Sequence, residues 1–304
     1  MKCGCNMSLF KKTIDAPALT PVELVKRYSE LGFDCMDLGC NVPAYLMDED
    51  WESQIDEIGE AAARHGITFS QLHLPFHKNA CEELDPRFRI PGFREDFFLS
   101  MKRAYLAGER LGIPWAVAHV VTVQDNGFCR KDTFDYNHRY YDEYVEFGIR
   151  HGVGTAFENL CKVNTPHQKH RYCGHQDDLI EFVDSFADPM VGICWDFGHA
   201  QVSGLNQSIA LRQIGSRLKC VHIHDNLGVN DNHLIPFTGV INWHEIVEVL
   251  AEIGYTGVLS MEPGGRAVNV PRAMQEQFAK CAYASCDQLR KMLLAKMEHS
   301  RKCN

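Results

Sequence analysis

Short apolar segments alternate with amphipathic ones along the whole chain. The apolar segments read GFDCMDLG (32–39), GITFSQLHL (66–74), PWAVAHVV (114–121), GVGTAFENL (152–160), MVGICWDF (190–197), RLKCVHIHD (217–225) and TGVLSMEP (256–263). With the opening KCGCN they make eight. Between them the spacing is helical: PVELVKRYSELG (21–32) sets Val22, Val25 and Tyr28 on one face and stops at Gly32, and glycine closes several of the other helices as a C-cap. Strand and helix alternating every ~30 to 45 residues predicts a parallel sheet, and eight units predict a closed (β/α)8 TIM barrel. An open doubly wound sheet is the alternative. No Gly-rich dinucleotide fingerprint follows the first strand, and no GxxxxGK loop is present. No linker or low-complexity tract divides the chain, so residues 1–304 are expected to form one domain, with a charged tail (291–304) that frays.

Composition narrows the function classes. Apolar residues make up 45% of the chain and charged residues 23%, as in a protein that buries a core. The net charge of −9 argues against affinity drawn from a nucleic-acid backbone. The thirteen cysteines are odd in number and follow no disulfide spacing, and MKCGCNMSLF is too short and mixed for a secretory core. The expectation is a cytoplasmic protein with reduced thiols. No apolar run approaches the ~18 residues of a membrane span, so no membrane partner is expected.

Candidate chemistry sits where the strands end. Active sites of such barrels are built from residues at the C-terminal ends of the strands. Strand two carries Asp37; strands three, four and five end at His73, His119 and Glu158. Strand six ends at Asp196 with His199 one turn on, strand seven carries His222 and His224, and strand eight ends at Glu262. Each has a plain structural reading: Glu158 or Asp196 can cap the following turn, a lone histidine can be a hydrogen-bonded core residue, and Asp231 and His233 can belong to an ordinary loop. Together those readings fail, because several carboxylates buried at one mouth are very costly without a cation between them. Oxygen and imidazole donors without thiolate suit Mn²⁺, Zn²⁺, Co²⁺ or Mg²⁺. His222 and His224 are two apart and share a strand face; only one need be a ligand.

The segments HLPF (73–76), AHVV (118–121), FENL (157–160), WDFGHA (195–200), VHIHDN (221–226), DNH (231–233), FTGVINW (237–243) and SMEP (260–263) resemble, in order and over nearly the whole chain, the xylose isomerase-like barrel superfamily. That group includes sugar-phosphate isomerases and epimerases, ketose 3-epimerases, inosose dehydratases and endonuclease IV. The resemblance to the epimerases implies one divalent metal ion on Glu158, Asp196, His222 and Glu262, with His199 touching substrate. The resemblance to endonuclease IV implies up to three zinc ions, adding His73, His119, Asp231 and His233. The gap from His222 to Asp231 is shorter than the corresponding stretch of endonuclease IV, and the acidic balance offers no evident DNA surface.

The resemblance therefore implies a metal-dependent sugar or sugar-phosphate isomerase or epimerase, with a dehydratase, lyase or zinc phosphodiesterase as the alternatives. The expected mechanism is proton abstraction beside a carbonyl through a metal-stabilised ene-diolate, with Glu158 and Glu262 as base and acid and His199 as proton shuttle. Arg266, in EPGGR, is the expected anchor for a substrate phosphate or carboxylate, the alternative being a solvated loop arginine. The long connections 75–93 and 122–141 are candidates to cover substrate, with His77, Phe93, Arg139 and Trp115 as weaker contacts. Trp243 is expected to open a helix and pack against its barrel neighbour. Relatives of this kind often form homo-oligomers.

Overall fold

The computed structural model describes residues 1–39, 44–76, 86–123, 128–161, 171–264 and 269–303. The chain opens with strand β1 (Cys3–Asn6) and helix α1 (Pro21–Leu31), then β2 (Cys35–Gly39), the short α2 (Ala44–Met47) and α3 (Trp51–His65). Strand β3 (Thr68–His73) precedes α4 (Phe93–Leu111), β4 (Trp115–His119) and α5 (Arg130–Arg150). Strand β5 (Gly154–Glu158), α6 (Gln176–Asp184), β6 (Val191–Asp196), α7 (Phe197–Val202) and α8 (Gln207–Ile214) follow. The last elements are β7 (Leu218–His222), α9 (Trp243–Glu252), β8 (Leu259–Met261) and α10 (Arg272–Cys303). All eight strands fall inside the segments expected from the apolar pattern.

The helix starts and stops follow local chemistry. In α1, Thr20 accepts the Glu23 backbone N–H while Glu23 accepts the Thr20 N–H at 2.8 Å, a reciprocal cap, and Pro21 occupies the first turn. Leu24, Val25 and Tyr28 form the buried stripe of this helix. Burying each such side chain contributes about 1.5–3 kcal/mol.

Every strand pair is parallel, in the order β7-β6-β5-β4-β3-β2-β1-β8. The ring closes where the Ile223 N–H donates to the Ser260 carbonyl at 2.8 Å and the Glu262 N–H to the Ile223 carbonyl at 2.9 Å. Two residues before His119, Glu158, Asp196 and His222, on the same strand faces, lie Val117, Ala156, Cys194 and Cys220. They form a small apolar cluster apart from the main core, filling the barrel beneath its mouth. The larger core lies between the outer strand faces and the helices.

The C-terminal tail, expected to fray, is described as far as residue 303. Residues 291–303 continue α10, and Leu289 and Leu293 are buried in the core, with Met297 packed against it. This apolar stripe at four-residue spacing holds the helix down despite its charged outer face. Ten cysteines, from Cys3 to Cys286, are free thiols. Among the described residues no helix is long and apolar enough to cross a membrane.

Candidate metal centre

The strand register assembles the mouth. His73, His119, Glu158, Asp196 and His222 are the last residues of β3 to β7, and Glu262 follows β8 directly. His119 pairs with Glu158 across β4 and β5, and Asp196 with His222 across β6 and β7. Glu158 is 1% exposed and sits at the centre of the group. Its Oε2 lies 2.9 Å from His119 Nε2 and 3.5 Å from His73 Nε2, while Oε1 lies 3.1 Å from His199 Nδ1 and 3.3 Å from His222 Nδ1. His222 Nδ1 is also 3.5 Å from Glu262 Oε2 and 3.9 Å from Asp196 Oδ2. That nitrogen is buried and makes no hydrogen bond. A buried imidazole nitrogen facing three carboxylates without a bond fits a cation site, because a divalent ion satisfies all four donors at once.

Three other imidazoles are set by backbone carbonyls. Nδ1 donates to the Leu74 carbonyl in His73 at 2.9 Å, to the Asn159 carbonyl in His199 at 2.9 Å, and to the Glu262 carbonyl in His233 at 2.8 Å. A carbonyl only accepts, so each bond holds a proton on Nδ1 and turns Nε2 toward the mouth, the arrangement that orients metal-binding histidines once Nε2 has given up its own proton. His73 Nε2 faces His119 Nε2 at 3.1 Å, and Asp231 Oδ2 stands 3.0 Å from His233 Nε2 and 3.5 Å from His199 Nε2. Four overlapping groups have their ligand atoms within 4.8 Å of one another: His73, His119 and Glu158; Glu158, Asp196 and His222; Asp196, His224 and Glu262; and His199, His224, Asp231 and His233.

The loop carrying Asp231 and His233 is fastened to the barrel. Asp225 and Leu234 exchange backbone hydrogen bonds at 2.8 and 2.7 Å, and Asn226 Nδ2 donates to the Gly198 carbonyl at 2.8 Å. The buried Asp225 carboxylate accepts the Trp243 indole N–H at 2.9 Å and the Ile241 N–H at 3.1 Å. Trp243 does open α9 and packs edge-on against Phe197, as expected, but its indole nitrogen also serves the site. His233 itself adopts φ +48°, a conformation rare for a side-chain-bearing residue, held there by its contacts on both ring nitrogens.

Electrostatics agree with a cation-binding mouth. Burial alone would raise the Glu158 carboxyl, yet the His222 and His119 imidazoles hold it well below the carboxylate range. Burial opposes charge on His222, but Cys194, Glu262 and Glu158 push it well above an ordinary histidine. His233 rises to about 9 against its own burial, through its bond to Asp231. His119, where burial wins, falls to about 4. Without a cation, protons occupy the positions that a metal ion would take.

The structure also sorts the remaining candidates. Asp37 is not among the ligands: it lies one level deeper, accepting from Ser70 Oγ at 2.7 Å, from Gln71 Nε2 at 2.9 Å and from Ser260, with burial raising its carboxyl. Three donors from inside the barrel saturate it. Trp115 lines a cavity at the opposite end of the barrel with Lys2 and Lys219. Phe93 packs on Phe88 and Phe97, and the Arg139 guanidinium lies over Tyr136 on α5. Arg266 and His77 lie outside the described residues. Sequence reasoning missed Asn6, which donates to Glu262 Oε1 at 3.0 Å, and Asn159, which accepts the Asp196 N–H at 2.7 Å and donates to the Asp196 carbonyl at 2.9 Å. Beside the ligands opens a cavity of about 490 Å³, lined in part by His73, His222, His233, Glu262, Gln71 and Lys11.

Fold and site together define an α/β barrel with a cluster of histidines and carboxylates at its mouth. The chain belongs to the xylose isomerase-like TIM barrel family, whose model matches residues 25–282. It is 27% identical over 247 residues to a D-psicose 3-epimerase of Enterocloster bolteae, covering 78% of this chain and 74% of that one. The chain spans about half the length of two relatives described as uncharacterised, from Sinorhizobium fredii (48%) and Methanocaldococcus jannaschii (44%). Among solved structures, a D-tagatose 3-epimerase-like protein superposes with a TM-score of 0.75 at 23% identity, covering 99% of this chain and 100% of that one. The IolI protein with a bound zinc atom superposes with a TM-score of 0.71 at 18% identity, covering 95% and 98%.

Proposed function

We propose that the protein is a divalent-metal-dependent isomerase or epimerase acting on a small sugar or sugar phosphate. The observation that carries this reading is His222 Nδ1, buried without a hydrogen bond among Glu158, Asp196 and Glu262. Those four residues would hold the ion. When bound, the ion supplies Lewis acidity that weakens the C–H bond beside a carbonyl. The D-psicose 3-epimerase relative supports the carbonyl chemistry, and the zinc-bearing IolI structure shares the fold.

The chain's own groups divide the proton transfer. Glu262 lines the 490 Å³ cavity, and Asn6 holds its Oε1, leaving Oε2 turned toward His222. It is the base or acid that substrate reaches from the cavity side. Glu158, enclosed by His73, His119, His199 and His222, is the partner on the other face. Two carboxylates on opposite faces of one carbon serve epimerisation; one carboxylate with a shuttle serves isomerisation. His199 is the shuttle, with Nδ1 on the Asn159 carbonyl and Nε2 toward Asp231. The cavity is large enough for a monosaccharide or its phosphate. Metal analysis of the purified protein, followed by assay on ketoses, aldoses and their phosphates in deuterated water, tests the proposal. One ion per chain and deuterium incorporation next to the carbonyl are expected; turnover retained by Glu262→Gln would overturn the assignment.

A second reading is favoured by the flanking ligand groups, His73 with His119 and His199 with Asp231 and His233. Filled together with the central group they would hold three ions, a constellation suited to phosphoester cleavage. Three ions per chain and cleavage of an abasic-site duplex would replace the first reading with this one.

A further inference from the structure

We propose that His224 is a positioning residue, a non-ligand whose Nε2–H aims Asp196 at the cation; this rests on the metal site proposed above. His224 lies within ligand distance of two of the groups at the mouth, so by proximity alone it could be counted as a metal ligand. Its hydrogen bonding excludes that role. The residue is completely buried, and its Nε2 lies 2.9 Å from Asp196 Oδ2. Its other nitrogen, Nδ1, is buried and has no hydrogen-bond partner. An N–H at Nδ1 would be orphaned, so the ring proton sits on Nε2, and Asp196 accepts it. A nitrogen that donates a proton has no lone pair to give a metal.

The ring has no freedom to do otherwise. On one side it stacks on His233 with centroids 3.9 Å apart and planes 13° from parallel. On the other side lies Gly198, where an added Cβ would stand 1.9 Å from His224 Cε1 and 2.3 Å from Nδ1. Gly198 is therefore glycine because this imidazole fills the space of its side chain, which couples the WDFGH and HIHD segments. Asp196 in turn is held on every side. Asn159 brackets its backbone, the His199 N–H donates to Oδ1 at 2.6 Å, and His224 donates to Oδ2. Oδ2 is the oxygen nearest His222 Nδ1, so the bond from His224 occupies one lone pair of that oxygen and leaves the other for the cation.

The donor, rather than the ring volume, is the decisive feature, and substitutions separate the two. His224→Phe keeps the volume and removes the N–H; His224→Gln places an amide N–H near the Nε2 position; Gly198→Ala leaves the imidazole intact and displaces it. Affinity for Mn²⁺, Co²⁺ and Zn²⁺ is measured by chelator competition on the whole protein, with thermal unfolding of the metal-free forms as the check on folding. His224→Phe and Gly198→Ala are expected to weaken metal binding about 10- to 100-fold, the usual cost of losing such a partner. His224→Gln is expected to stay within about three-fold of the unmodified protein, the donor being all that the site requires. Unchanged affinity in His224→Phe would make the ring a spacer, and equal losses in Phe and Gln would make it a ligand; either result overturns the proposal. If His224→Phe does not fold, the contrast between Gly198→Ala and His224→Gln decides in the same way. An unmodified protein that binds no divalent ion at all would instead remove the metal-site reading on which this inference rests.

Discussion

Asn6 donates from Nδ2 to Glu262 Oε1 at 3.0 Å across the seam where the first strand meets the last. The Asn6 side-chain oxygen is itself held by the Ser8 N–H at 3.1 Å. The amide thus fixes one Glu262 oxygen and leaves the other for chemistry. Replacing Asn6 with Ala is expected to lower kcat about 10-fold or more with a smaller change in KM, because the bond orients Glu262, the proposed acid or base. Steady-state kinetics on the true substrate check this, and a change confined to KM would contradict it.

Trp243→Phe keeps the apolar contact with Phe197 and deletes the indole N–H given to Asp225. A buried carboxylate then loses one of its donors, at a cost of about 1–3 kcal/mol. Urea unfolding should report a lower midpoint with an unchanged slope. Metal affinity should also fall, because Asp225 anchors the loop that carries Asp231 and His233.

Removing divalent ions with a chelator should lower the unfolding temperature, and adding back Mn²⁺, Co²⁺ or Zn²⁺ should restore it. A ligand present at 100 times its Kd stabilises the folded state by about 2.7 kcal/mol. Burial raises the carboxyls of Glu158, Asp196 and Glu262, but the imidazoles beside them hold all three below their ordinary values, so they are charged and open to a cation. Identical melting curves with and without ions would speak against a bound cation.

Acidity of the metal-free protein has a definite sign at His233. Its folded value, about 9, lies above the ~6.5 of an unfolded histidine. The folded state therefore holds the extra proton, so this stabilisation is complete below ~6.5 and is lost as pH rises through about 9. The unfolding temperature of the metal-free protein should fall across that window, and less so in His233→Gln.

Much of this was legible in the sequence. The eight strands were, because apolar runs bounded by glycine and separated by amphipathic helices leave few other arrangements. The gathering of the six strand-end histidines and carboxylates was too, because a barrel directs such residues to one mouth. His224 was visible only as a residue sharing a face with His222; its bond to Asp196 and its fit against Gly198 needed the structure. Asn6 and Asn159 were not legible, since each acts on a partner far along the chain and an amide has no signature spacing. Asp37 looked like its neighbours from the strand pattern, but three donors inside the barrel claim it. The charged residues of the C-terminal tail concealed the stripe of Leu289, Leu293 and Met297 that keeps it helical.

The pairing of His119 with Glu158 and of Asp196 with His222 ties catalysis to strand length. Inserting or deleting a single residue in β5 or β6 would turn the carboxylate outward and send a core residue into the mouth. Redesign of the mouth therefore has to proceed through the connecting loops, while the strands tolerate substitution but no change in count.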